Sequence, residues 1–304
     1  MIRYIITAQA LRLFSLNSAT KRVYRNLGNT LGGRRRSKGL PDRYVPRANG
    51  NLQFIESYGG IRDGMHVVEL GTGWVHWEAF FTRLFYDVTC TLFDVWDNRQ
   101  FGGFQRYAHE LRQQLRSTVA RPEVSLRRAE ILLDEVSTLP NFDAVYERLG
   151  FQYMIDPQGS LRELPDACTD LIISSDVLEH VPVGSVDSLI SDMYRILKPG
   201  GMAAQLIVPW DHLAGYDSRV HGKNYLRYGD RIWRTFFEND VQYFNRLQHS
   251  EWIERFRRGK MEVVCAKIIG SDNLGDLPIS HRFRGYSRED LEGTVSQILV
   301  RKPK

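Results

Sequence analysis

The chain has 304 residues, of which 42% are hydrophobic and 12% aromatic, with a formal net charge of +5. That composition is enough for a sizeable core and excludes general disorder, and the length fits one α/β domain with additions. Its longest apolar runs are strand-sized, well short of the roughly 20 residues that a membrane-spanning helix needs.

The first residues, Met1 to Thr7, carry neither a long apolar run nor a small-residue cleavage site, so no secretory signal is expected. Cys90, Cys168 and Cys265 are far apart and odd in number, which points to a reducing compartment, the cytoplasm, and to neither a disulfide framework nor a metal site. Over 2–27 the apolar positions Ile6, Leu11, Leu13, Phe14, Val23, Tyr24 and Leu27 fit one or two amphipathic helices broken near Asn17-Ser18. Their apolar face is expected to pack against the sheet or a second subunit, as in a homodimer; peripheral contact with a membrane surface is the other reading. The stretch 28–50, rich in Gly, Arg, Pro and Asn, reads as a linker or lid, so 1–50 forms a helical extension with a basic linker. Its run Arg34-Arg35-Arg36-Ser37-Lys38 is ordinarily a solvated tail, and nucleic acid is disfavoured because no RNA-binding module accompanies it.

A helix over 52–58, stopped by Gly59-Gly60, and a turn at 61–64 lead into a strand at 65–70. There Val67-Val68-Glu69-Leu70-Gly71-Thr72-Gly73 reads as a buried strand turning sharply into a helix. A second strand, 88–93, is followed by Asp94, whose carboxylate is placed to take both hydroxyls of a ribose. The dinucleotide fingerprint G-x-G-x-x-G would put a third glycine where His76 stands, and Glu69 repels phosphate while accepting from an ammonium. A nucleoside with a cationic amino-acid tail suits this pair, which is S-adenosylmethionine.

A helix-rich insertion follows over about 98–149, then an apolar segment at 151–155, a strand at 170–175, and a helix from about 186 that Lys198-Pro199-Gly200-Gly201 ends. Strands at 202–208, 261–269 and 296–300 complete the pattern, with a second insertion over 210–260. Strands alternating with helices argue for an α/β, Rossmann-like doubly wound sheet. The domain reading is 1–50 extension, 51–209 nucleoside-binding core, 210–260 lid or acceptor insertion, and 261–304 closing strands.

The series Glu69-Leu70-Gly71-Thr72-Gly73, Asp94, Leu164-Pro165-Asp166 leading to Ser174-Ser175-Asp176-Val177-Leu178-Glu179-His180-Val181, and Arg195-Ile196-Leu197-Lys198-Pro199-Gly200-Gly201 resembles class I S-adenosylmethionine-dependent methyltransferases, most of all the bacterial small-molecule and glycan branch. The resemblance implies a seven-stranded sheet whose last strand is antiparallel. It also implies that Glu69, Gly71, Thr72 and Gly73 hold the methionine end, Asp94 the ribose, and Ser175 the sulfonium region. At the adenine position the family's acidic residue is replaced by Ser160, followed by Leu161, with Asp156 as a substitute.

Methyl transfer to a hydroxyl needs a base and alignment more than elaborate machinery. His180 is the candidate base, with Asp176 beside it, because histidine titrates near neutrality; Glu179 and His180 equally suit bracing the helix that follows. His212 and His221 read as ordinary loop histidines, and Asp211-His212 alone is too little for a metal. No G-x-S-x-G elbow supports a serine hydrolase. The second insertion interleaves aromatics such as Tyr216, Tyr225, Tyr228 and Trp233 with arginines, as an acceptor wall for sugar faces and anionic groups or as a small core of its own. The reading is methyl transfer to a small-molecule or glycan acceptor, a sugar hydroxyl first; the rivals are an RNA or protein methyltransferase and a non-catalytic binding protein that kept the fold.

Overall fold

The computed structural model describes residues 1–36 and 38–304. Ser37 and the side chain of Arg35, both in the basic run, lie outside the described residues. Strands β1 (His66–Leu70), β2 (Thr89–Asp94), β3 (Phe151–Ile155), β4 (Thr169–Ser175), β5 (Leu197–Ile207), β6 (Glu262–Ser271) and β7 (Gly293–Arg301) form one mixed sheet in the order β3-β2-β1-β4-β5-β7-β6. The chain groups into two compact units, one of 29–175, 191–204 and 299–304, the other of 1–28, 176–190 and 205–298.

In the first unit β1 to β4 are parallel, and the register pairs Leu70 with both Phe93 and Ser174, and Asp94 with Ile155. The C-terminal ends of four strands therefore line up. Val67, Val68, Leu171 and Ile172 are fully buried, which is why these strands read as continuous apolar runs rather than alternating ones. Helix α4 (Trp77–Phe85) is buried on every side. Its outer cover is the first insertion, three helices α5 (Phe101–Thr118), α6 (Glu123–Thr138) and α7 (Phe142–Leu149), with α6 and the earlier helix α3 (Tyr44–Ser57) lying directly against it. On α5 the buried residues Phe104, Tyr107, Ala108, Leu111 and Leu115 recur at helical spacing. Asn141 caps α7 by accepting from the Ala144 N–H, and Gly150 ends it in the left-handed region.

The stretch 28–50, expected as linker, is largely helical. Helix α2 (Ser18–Arg36) runs through Gly28, Gly32 and Gly33, and α3 begins at Tyr44. Pro46 sits in the first turn of α3, where a missing N–H has no intrahelical partner to lose. Arg36 is buried and donates to Gln100 Oε1 at 2.6 Å, so part of the basic run is a structural tie rather than a solvated tail.

Helix α8 (Val183–Ile196) follows β4 in the chain, and the second unit holds α1 (Ile2–Phe14), α9 (Asp230–Phe236), α10 (His249–Arg258) and α11 (Arg288–Glu292). Its core joins Tyr4, Ala8 and Leu11 of α1 to Tyr225, Trp233, Phe244 and Phe283. Two buried polar residues brace the segment after β5. The Lys223 ammonium donates to the carbonyls of Pro209 and Gly293. The Tyr4 hydroxyl donates to Asp211 Oδ2 at 2.7 Å. Where β7 meets β5, in the first unit, Gly200 N–H donates to Lys302 and Lys302 N–H to Gly201, both 2.9 Å, so the two strands run oppositely.

Burial pushes the Asp211 carboxyl up to about 7, against roughly 3.9 in an unfolded chain. The folded state thus keeps a proton that the unfolded chain has already released. The associated stability is full below about pH 4 and is lost as pH rises through 7. Thermal unfolding across pH 4 to 7 should show the melting temperature of Asp211→Asn falling less steeply than that of the wild type; parallel curves would contradict the shift.

Candidate active site

The line of strand ends in the first unit makes a crevice. Gly71 and Gly73 have φ of +64° and +62°, a conformation that L side chains rarely adopt. A Cβ at Gly73 would come no nearer than 3.9 Å to another atom, so a side chain there would fill an open cradle. The loop is clipped to β2: Gly73 N–H donates to Asp94 Oδ2 at 2.9 Å, Val95 N–H to Oδ1 at 2.7 Å, and Thr72 N–H to the Phe93 carbonyl. Trp96 N–H is a third backbone donor to the Asp94 carboxylate, so of its roughly four lone-pair sites about one is left for a hydroxyl. Burial raises the pKa of this carboxyl, while the backbone donors oppose that shift.

Glu69 lies beneath the loop, fully enclosed, and burial pushes its carboxyl up to about 8. It accepts from the Thr72 hydroxyl at 2.6 Å and from Glu78 N–H at 3.3 Å. His76 Nδ1 stands 2.8 Å from the Thr72 oxygen, and its Nε2 is 2.7 Å from the Tyr146 hydroxyl. With Glu69 ionised, the single Thr72 proton points to the carboxylate, so His76 donates from Nδ1 and accepts from Tyr146 at Nε2. Burial holds His76 down to about 3, consistent with a neutral ring. His76 has φ +50°, so the position of the missing third glycine does adopt left-handed backbone, and its imidazole is buried. The relay of His76 and Tyr146 was not legible in advance; the one signal was histidine at the fingerprint's third glycine.

The remaining donor-side residues gather on neighbouring strand ends. Asp156 N–H donates to the Asp94 carbonyl at 3.1 Å, which sets the loop after β3 beside β2. The Asp156 carboxylate accepts from Gln158 and Ser160 N–H, so it shapes that loop. Leu161 is buried, and its N–H donates to Asp192 Oδ2. Ser175 Oγ, at the end of β4, is buried with no hydrogen-bond partner. An open cradle, a buried carboxyl and an orphaned hydroxyl fit S-adenosylmethionine. Directly after the glycines, the Trp74 indole N–H donates to Asn29 Oδ1 and the Arg36 guanidinium lies 4.2 Å over its ring.

The second unit holds the other candidates. Asp176 has φ +58°, an uncommon conformation fixed by its N–H bond to the Leu206 carbonyl at 2.9 Å. His180 Nδ1 is 2.8 Å from the Tyr243 carbonyl. A carbonyl only accepts, so Nδ1 carries the proton and Nε2 presents its lone pair. Burial lowers the His180 pKa, opposed by the Tyr243 bond and the Asp176 charge. Its ring centroid is 4.7 Å from that of His212, whose ring is 5.9 Å from Trp210. Burial, with His180 adding to it, holds His212 down to about 4, and its Nδ1 has no partner. Sequence reasoning missed this row because its members lie 30 positions apart. Glu179 braces, accepting from Val208 N–H at 3.4 Å, while its carbonyl takes Asn245 N–H. His221 spends both ring nitrogens on the Asn273 carbonyl and Lys223 N–H, as an ordinary loop histidine does. Among the described residues no cluster of three or more His, Cys, Asp or Glu is placed to hold a metal.

Of the insertion's aromatics, Tyr225, Trp233, Phe237, Phe244 and Trp252 are core, while Trp210, Tyr216 and Phe236 are exposed. Trp210 fits closely against two glycines: a Cβ at Gly222 would fall 2.2 Å from its Nε1, and one at Gly215 3.1 Å from its ring. Arg246 is buried, paired with Asp230 at 2.6 Å and stacked on Trp233, and Arg219 forks onto Asp217. Of the two uses expected for the insertion's arginines, these two contacts fit a role within its own fold.

The model of the methyltransferase-domain family matches residues 42–259, most of the chain. No curated protein matches. Among solved structures, the chain is similar to Haemonchus contortus phosphoethanolamine N-methyltransferase 2 in complex with S-adenosyl-L-methionine, 13% identical over 84% of this chain with a TM-score of 0.48. It spans 53% of that protein's length. It is also similar to Burkholderia thailandensis 1,6-didemethyltoxoflavin-N1-methyltransferase, 12% identical over 95% of this chain and 92% of that one, TM-score 0.47. The chain belongs to the methyltransferase-domain family, as a class I S-adenosylmethionine-dependent methyltransferase.

Proposed function

We propose that this methyltransferase acts on a hydroxyl of a sugar-like acceptor, a small molecule or a glycan, with His180 as general base. The observation that carries the reading is the His180 tautomer: Nδ1–H is committed to the Tyr243 carbonyl, and the Nε2 lone pair is left on a neutral ring. An amine acceptor loses its proton easily once methylated; a hydroxyl is a poor nucleophile until its proton is taken. The sulfonium supplies an activated methyl whose C–S bond breaks, its electron pair staying on sulfur, as the acceptor oxygen forms the new C–O bond. His180 Nε2 takes the hydroxyl proton in that step, and the Asp176 charge favours the imidazolium produced. Trp210, partly exposed and held by Gly215 and Gly222, offers a flat face for the C–H side of a sugar ring. On the donor side Glu69 takes the ammonium and Asp94 the ribose hydroxyls, while Ser160 and Leu161 border the adenine.

Asp94→Ala should weaken S-adenosylhomocysteine binding by at least tenfold in isothermal titration, with an unchanged far-ultraviolet spectrum; unchanged affinity would remove Asp94 from the donor site. Methyl-labelled donor incubated with a panel of glycosides and matched amines should label the glycosides, and labelling of amines alone would contradict the reading. On a labelled glycoside, His180→Gln should lower kcat by about 10² to 10⁴ and leave S-adenosylhomocysteine binding intact. Wild-type kcat should rise with pH through a histidine pKa below its usual value, then level off by neutrality; the variant should lack that limb. Trp210→Ala should raise the glycoside KM by roughly two- to tenfold with little change in kcat, and a kcat loss without a KM change would argue against stacking.

A further inference from the structure

Helix α1 is apolar on two sides. One stripe, Tyr4, Ala8 and Leu11, is buried in the core of its own unit. On the opposite side Ile2, Ile6 and Leu13 are 73%, 63% and 63% exposed, and at helical spacing they share one arc with Ile5. Leu16, Val23 and Leu27 continue the exposed apolar series into α2. A solvated helix would carry charged residues on that side; here folding uses one stripe and leaves the second uncovered. The segment's charge is equally one-sided. Residues 1–41 contain nine lysines and arginines and no carboxylate, the first being Asp42; of the nine, Lys21 is paired with Asp240 at 2.5 Å and Arg36 is buried. Arg3 and Arg22 are exposed in the same stretch as the isoleucines and leucines.

We propose that residues 2–27 dock this enzyme on an anionic lipid surface, with the outer stripe of α1 entering the headgroup boundary and the cations held by lipid charge. Exposed aliphatic side chains beside cations satisfy both parts of such a surface. A second copy of the chain fits less well, because facing copies would bring two carboxylate-free, basic segments together. RNA fits less well too: aliphatic side chains gain nothing from phosphate, and the segment's aromatic rings Phe14 and Tyr24 are half-buried against each other, 5.6 Å apart, rather than open for base stacking. This inference does not depend on which acceptor is methylated.

Co-sedimentation of the full chain with phosphatidylcholine vesicles, with and without phosphatidylglycerol, tests it. Binding should require phosphatidylglycerol and weaken as salt is raised. The double variant Ile6→Glu, Leu13→Glu should bind at least tenfold more weakly, and Arg3→Gln and Arg22→Gln should each cost about fivefold. All variants should keep the wild-type melting temperature and S-adenosylhomocysteine affinity, since none of these side chains is buried. Equal sedimentation with both vesicle types, or full binding by the Ile6→Glu, Leu13→Glu variant, would overturn the proposal. So would a solution dimer that this variant dissociates, or RNA binding with no vesicle binding.

Discussion

A carboxyl group buried beneath a glycine loop sets the terms for the donor side of this enzyme. Glu69 sits at the end of β1, the strand that pairs with both β2 and β4, so its position is fixed by the sheet itself. Burial makes its ionised form costly, and once its proton has left, a chain of hydrogen bonds, Tyr146 to His76 to Thr72 to Glu69, points at the carboxylate. The insertion that carries Tyr146 is therefore more than a cover for α4. It supplies the last member of the relay. The same loop is tied from the other side by Asp94, whose carboxylate holds Gly73 and Val95 N–H. In the proposed reading the ligand's ammonium completes the first arrangement and its ribose the second.

The second unit solves a different problem with similar means. Its long, aromatic insertion forms a core of its own, and the loop after β5 is pinned through Lys223 and through the Tyr4–Asp211 pair. Few side chains remain for chemistry. Trp210, His212 and His180 form a row of rings, and the one with a defined proton position is His180, oriented by a backbone carbonyl from 63 residues away. Using a carbonyl rather than a carboxylate to orient the proposed base leaves the imidazole neutral, the form that accepts a proton.

The fold was legible because its signals are local. Apolar runs ended at Glu69-Leu70, Asp94 and Ser175, and each became a strand end within a residue or two. The stretch 28–50 was misleading because its glycines and Pro46 are punctuation only when nothing else holds the backbone. Helix α2 keeps its glycines at about 1 kcal/mol each, and Pro46 occupies a first turn where it costs nothing. Roles that depend on long-range contact were hidden. Nothing in the sequence says that Tyr146 meets His76, that Asp156 turns inward on its own loop, or that Arg246 is buried against Trp233. Asp94 and Glu69 could be found from spacing; their partners could not.

In the proposed reading Glu69 receives the donor's ammonium, and its elevated pKa makes that measurable. At pH 7 a carboxyl with a pKa of about 8 is mostly protonated before binding. An ammonium beside it should drive the proton off. Isothermal titration of S-adenosylhomocysteine in buffers of different ionisation enthalpy should therefore report release of close to one proton, with no release for adenosine, which lacks the tail, or for Glu69→Gln. Binding heats that do not depend on the buffer, or proton release that persists in Glu69→Gln, would contradict the account.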